Sequence, residues 1–137
     1  MTPKQSAEFE CDRRGHHVVV EDCVAILSGR HVDDDFLAVI GGPSAENVLR
    51  GRNGGVDGYW PRVWAARGLL HVWDDVATDA IIGATTHEAW RVREMAAKVI
   101  ARHHVWPAVD AVVKLLDDEN VRVRTAASRA FRVVAES

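Results

Sequence analysis

The feature that most constrains this chain is an internal repeat. Three segments align without gaps at an offset of 31: residues 57–70, 88–101 and 119–132. An acid recurs (Asp57, Glu88, Glu119), as does an arginine (Arg62, Arg93, Arg124). A small pair followed by a cation also recurs: Ala65-Ala66-Arg67, Ala96-Ala97-Lys98 and Ala127-Ser128-Arg129. Outside these segments, Ala77-Thr78-Asp79-Ala80-Ile81-Ile82 matches Ala108-Val109-Asp110-Ala111-Val112-Val113 at the same offset. A fixed period of this length signals a stack of equivalent supersecondary units.

Periodicity assigns both halves of the unit to helix. Apolar or small residues fall at 61, 64, 65, 68, 69 and 72, then at 92, 95, 96, 99 and 100, then at 123, 126, 127, 130, 131 and 134. That spacing is one face of a 3.6-residue helix. Val109, Val112, Val113 and Leu116 make a narrower stripe in the second half. Pro61 and Pro107 suit first-turn positions, where a missing N–H costs little. Asp74-Asp75 and Asp117-Asp118-Glu119 read as turns or helix starts, because acids favour helix N-termini. Neither helix can bury its stripe alone, whereas stacked pairs can. The expected fold is all-α: a superhelix of antiparallel helix pairs, with units at 57–87 and 88–118 and a half unit at 119–137.

Val92-Arg93-Glu94-Met95-Ala96-Ala97-Lys98-Val99-Ile100 and Val123-Arg124-Thr125-Ala126-Ala127-Ser128-Arg129-Ala130-Phe131 resemble the VR-x-x-A-A-x-A-L core of HEAT repeats. The period of 31 resembles the short HEAT-like subclass also found in phycobilisome lyases. Tyr59-Trp60-Pro61-Arg62-Val63-Trp64 and Trp90-Arg91-Val92-Arg93-Glu94 are similar to small actinobacterial HEAT-repeat proteins of no known activity. The resemblance implies an armadillo-like α-solenoid over residues 57–137.

The first 56 residues lack the repeat. Residues 1–16 are expected to be a disordered extension and 17–56 a degenerate cap on the first unit, all within one domain. His17-Val18-Val19-Val20 reads as extended and 22–27 as a short helix. Asp33-Asp34-Asp35 followed by 36–40 reads as an N-capped helix that ends at Gly41-Gly42, with a second short helix over 45–50 and a loop at 51–55.

The arginines at 62, 93 and 124 border the buried stripe. With Asp57, Glu88 and Glu119, or with Asp117, they are expected to form a structural ladder that sets the register between units. A second set, Arg67, Arg91, Lys98, Arg122 and Arg129, shares one flank of the first helices, while the second helices carry mainly acids. Charge is therefore segregated, although 17 Lys+Arg against 20 Asp+Glu leave a net charge of −3. This flank reads either as a solvated face with local pairs such as Glu94–Lys98 or as an interaction surface. Trp64 belongs to the buried stripe. Trp60, Trp90 and Trp106 stand near helix starts, where they plug junctions or, with the arginines, form a partner hot spot.

Chemistry-bearing patterns are lacking. His16-His17 between Cys11 and Cys23 matches no zinc spacing. His103-His104 are adjacent, so on a helix they diverge by about 100°. Residues 51–55 lack the Lys-Ser/Thr of a phosphate loop. No metal, cofactor or catalytic residue is expected, and the chain reads as non-enzymatic. Its expected role is a protein-binding scaffold, because stacked helix pairs offer an extended face without a deep reactive pocket. The candidate surface comprises Arg67, Trp90, Arg91, Lys98, Arg122, Arg129 and Phe131. The partner is another protein, or a second copy docking on the apolar edge of Phe131, Val133 and Val134. The alternative is nucleic-acid binding through the basic flank. The HEAT-like alkylpurine DNA glycosylases give that reading an enzymatic version, but none of their catalytic positions maps onto this chain. The N-terminus has no apolar h-region and no run reaches a membrane span, so a cytoplasmic location with reduced thiols and no membrane contact is expected.

Overall fold

A computed structural model describes the chain apart from positions 31, 53, 56, 57 and 137. Every regular element among the described residues is helical, and the helices pack as antiparallel pairs in the manner of a HEAT-like α-solenoid. Two compact units are resolved, Met1–Asp74 and Asp75–Ser137. The dividing point falls inside the first repeat predicted from sequence.

In the first unit, residues 1–16 depart from the expected disorder. Thr2 accepts from the Gln5 backbone N–H and the Gln5 side chain accepts from the Thr2 N–H, a reciprocal cap that starts α1 (Pro3–Arg14) with proline in its first turn. Gly15, at φ +95°, separates α1 from α2 (His16–Leu27). The β-branched run is helical rather than extended, because Val19, Cys23 and Ile26 recur at helical spacing and are buried with Val20. Packing of that stripe outweighs a weak β preference.

Of the acidic run 33–35, Asp33 caps α3 (Asp34–Gly41) by accepting from Phe36 N–H at 2.8 Å. A 3-10 turn then leads into α4 (Ala45–Leu49). The helix α5 (Trp60–Leu69) packs mainly on α2 and also meets α3. The core gathers Val19, Val20, Phe36, Leu37, Trp64, Ala65, Ala66 and Leu69, all nearly or fully removed from solvent. Gly41 is required by space: a Cβ there would lie 2.7 Å from Trp64 Cε3.

The second unit shows the period directly. A 3-10 turn at Asp75–Ala77 runs into α6 (Thr78–Ala84), and 31 residues on, a turn at Trp106–Ala108 runs into α8 (Val109–Leu115). The long helices α7 (Trp90–His103) and α9 (Val121–Val134) keep the same offset. Equivalent positions share burial: Ala77 with Ala108, Ile81 with Val112, Ala84 with Leu115, and Ala96 with Ala127. Contacts between α7 and α9 are the most extensive in the chain, and α8 joins them through Leu115. His104 ends α7 in the left-handed region at φ +52°.

Candidate interaction surface

The turns that start α7 and α9 position the polar groups of the second unit. His87 Nδ1 accepts from Ala89 N–H at 3.0 Å, and Asp118 Oδ1 accepts from Asn120 N–H at 2.9 Å. These are equivalent positions, each tying down the strand of chain that enters a long helix.

Arg93, on the first turn of α7, reads both turns at once. Its Nη1 donates to His87 O at 2.9 Å and Glu88 O at 2.8 Å. Its Nε and Nη2 donate to the Asp118 carboxylate at 2.8 and 3.1 Å. Both side chains are largely buried, 11 % and 9 % exposed. The guanidinium holds the Asp118 carboxyl below its ordinary range, although partial burial pulls the other way. Of the sequence-predicted ladder, Arg93 finds its carboxylate in Asp118. Glu119 lies farther off at 3.8 Å and is 91 % exposed, while Glu88 contributes its backbone carbonyl. Arg124 donates from Nη1 to Asp118 O at 2.7 Å, the counterpart of the bond from Arg93 to His87 O. Arg62 reaches Gly58 O at 3.3 Å, and Asp57 lies outside the described residues. Asp118 could have been found from the sequence as the residue 25 positions after Arg93, three before the next long helix.

The basic flank is divided between the two units. Arg67 is half-buried and donates to Ile40 O at 2.8 Å, closing the C-terminal end of α3. Burial lowers its pKa. In the second unit Glu94, 8 % exposed, is the hub. It takes Arg122 Nε at 3.1 Å and Lys98 Nζ at 3.8 Å. The guanidiniums of Arg91 and Arg122 stand 4.4 and 5.2 Å from the Trp90 ring centroid. Trp90 itself packs against the Ala97, Leu115, Val123, Ala126 and Ala127 cluster. Arg129 and Phe131 face solvent, the latter 36 % exposed; Val134 is buried and Val133 half-buried.

Trp64 is core, and Trp60, Trp73 and Trp90 are half-buried. Of the two readings given for Trp106, it is no junction plug: it is 65 % exposed. The reason is local, since the proline turn Trp106–Ala108 buries Ala108 and turns Trp106 outward. Pro107 lines a groove of about 260 Å³ together with Ile82, Thr85, Thr86, Ala111 and Leu115. Asp110 and Lys114 are its charged members.

One cluster went unread in the sequence. Arg14 Nε donates to Glu10 Oε2 at 2.6 Å, and its Nη1 and Nη2 donate to the two Asp33 oxygens at 2.7 and 2.8 Å. Glu10 is fully buried and its Oε1 has no hydrogen-bond partner among the described residues. Arg14 holds the Asp33 carboxyl down at about 2, helped by the Phe36 N–H. Cys11 and Cys23 are free thiols, and burial pushes both pKa values up, that of the fully enclosed Cys23 furthest. No group of three or more His, Cys, Asp or Glu side chains among the described residues is placed to hold a metal ion. No helix among them is long and apolar enough to cross a membrane.

Comparison with known families places a HEAT repeat at residues 108–137. The match spans α8 and α9, so it frames the unit as the short helix followed by the long one. No curated protein and no solved structure matches the chain.

Proposed function

We propose that this chain is a non-catalytic module that binds another protein through the face carrying α6 and α8. The observation that carries the reading is Trp106, 65 % exposed and one residue before Pro107, which lines a groove with Ile82 and Leu115. A large aromatic held in solvent supplies the kind of anchor that interfaces use as a hot spot. The HEAT repeat at 108–137 supports the reading, since helix-pair stacks serve as extended binding surfaces. Two free thiols suit a reducing compartment such as the cytoplasm.

Nucleic-acid binding is the less favoured class. Arg67, Lys98 and Arg122 spend donors on Ile40 O or Glu94, so a phosphate would compete with partners already in place. Capture from cell lysate by the immobilised chain and by its Trp106→Ala variant tests the choice. Proteins retained by the first and lost from the second support it. Equal capture by both, together with duplex DNA binding that falls steeply with salt, would refute it.

A further inference from the structure

The repeat allows α7 and α9 to be compared position by position. On α7, Trp90, Glu94 and Ala97 form the face covered by α9 and its preceding turn; Glu94 is 8 % exposed and Ala97 0 %. The positions 31 residues on are Val121, Thr125 and Ser128, and all three face solvent, Val121 being 61 % exposed. The arginines show the same asymmetry. Arg93 and Arg124 each spend Nη1 on the carbonyl of the turn before their own helix. Arg93 then closes Nε and Nη2 on the Asp118 carboxylate, whereas the same two donors of Arg124 have no partner among the described residues.

We propose that Arg124 and the open face of α9 receive an acidic helix of a different protein, entered through an aspartate placed as Asp118 is before α9. Arg124 supplies a planar pair of donors that matches a carboxylate. Val121, Thr125 and Ser128 supply a face of modest bulk on which a helix can lie. Arg124, Arg129 and Arg132 are joined by no acid from 121 to 134, so α9 of a second copy has no carboxylate to offer this face. Those arginines favour glutamates or aspartates along the incoming helix. The inference rests on the reading of the chain as an interaction module, but it uses a different face from Trp106.

The probe is a labelled synthetic peptide with the sequence of residues 117–136, carrying Arg122→Glu, Arg129→Glu and Arg132→Glu. It keeps Asp118 and the Val123, Ala126 and Ala127 stripe with which α9 covers α7. Fluorescence anisotropy with the full chain should show saturable binding. Asp118→Asn in the peptide and Arg124→Gln in the protein should each weaken it about tenfold, and together no further. Trp106→Ala should leave it unchanged. A short helix can fail to form alone, so a 31-residue copy of 107–137 with the same three changes is also appended to the chain. Its Tm should rise above that of the same fusion carrying Arg124→Gln. Binding or stabilisation indifferent to Arg124, or neither effect in either format, overturns the proposal. So does an Arg124-dependent dimer of the unmodified chain in sedimentation. If lysate capture still depends on Trp106 in that event, the interaction module stands and the α9 site does not.

Discussion

Removing the Asp118 carboxylate should cost more than any other single deletion of a polar group in the second unit. Asp118→Ala deletes two charge-assisted bonds to Arg93, at 2.8 and 3.1 Å, and the acceptor for Asn120 N–H. Breaking a buried pair leaves the surviving charge uncompensated, at about 3–5 kcal/mol. Arg93 keeps its two carbonyl bonds from Nη1, which places the loss at the low end, about 3 kcal/mol. Asp118→Asn retains an oxygen for Asn120 and should lose roughly half as much. Urea titration followed by far-UV circular dichroism measures both, and a cycle with Arg93→Gln isolates the pair, for which about 2 kcal/mol of coupling is expected. The pH dependence carries the same sign. Because Arg93 lowers the folded pKa of Asp118, the stabilisation is complete above the unfolded carboxylate value of about 4 and fades as pH falls through the lower folded value. Losses for Asp118→Ala and Arg93→Gln that simply add, within about 0.5 kcal/mol, would refute the reasoning.

Gly41→Ala should lower stability by about 1–3 kcal/mol in urea titration, because the new methyl would sit 2.7 Å from the Trp64 ring. Asp33, held at about 2 by Arg14, should stabilise the first unit above the unfolded value of about 4 and cease to do so as pH falls through about 2. Acid titration of the Asp33→Asn variant should lack that step. Cys23 should resist thiol reagents in the native chain and react fully only in denaturant, while the half-buried Cys11 reacts slowly without it.

The fold of the repeats was legible because two signals coincide in them, a helical apolar period and a 31-residue self-match. Val92, Ala96, Val99 and Ile100 satisfy both, and all four are buried. Ahead of the repeat only one signal was available at a time. Val18-Val19-Val20 shows β-branched composition locally, and only the stripe from Val19 to Ile26 discloses the helix. The cap of α1 was written in Thr2-Pro3-Lys4-Gln5, a pattern with meaning only once a helix is expected there. The polar site was half legible. Arg93 stood out by recurrence, but its partner does not recur: 31 residues before Asp118 stands His87. Trp106 stayed open between plug and exposed anchor because proximity to a helix start says nothing about which way a proline turn aims its first side chain.

Where α7 meets α9, Ala97 on one side lies in one cluster with Val123, Ala126 and Ala127 on the other, and Trp90 packs against them. Backbones that approach over methyl groups have little volume to give up and no space to gain. Shortening a residue in this seam therefore alters it slightly, whereas lengthening one pushes the two helices apart. Sequence drift in such a protein should be one-sided, frozen upward in size along the seam and free in the turns that bracket it.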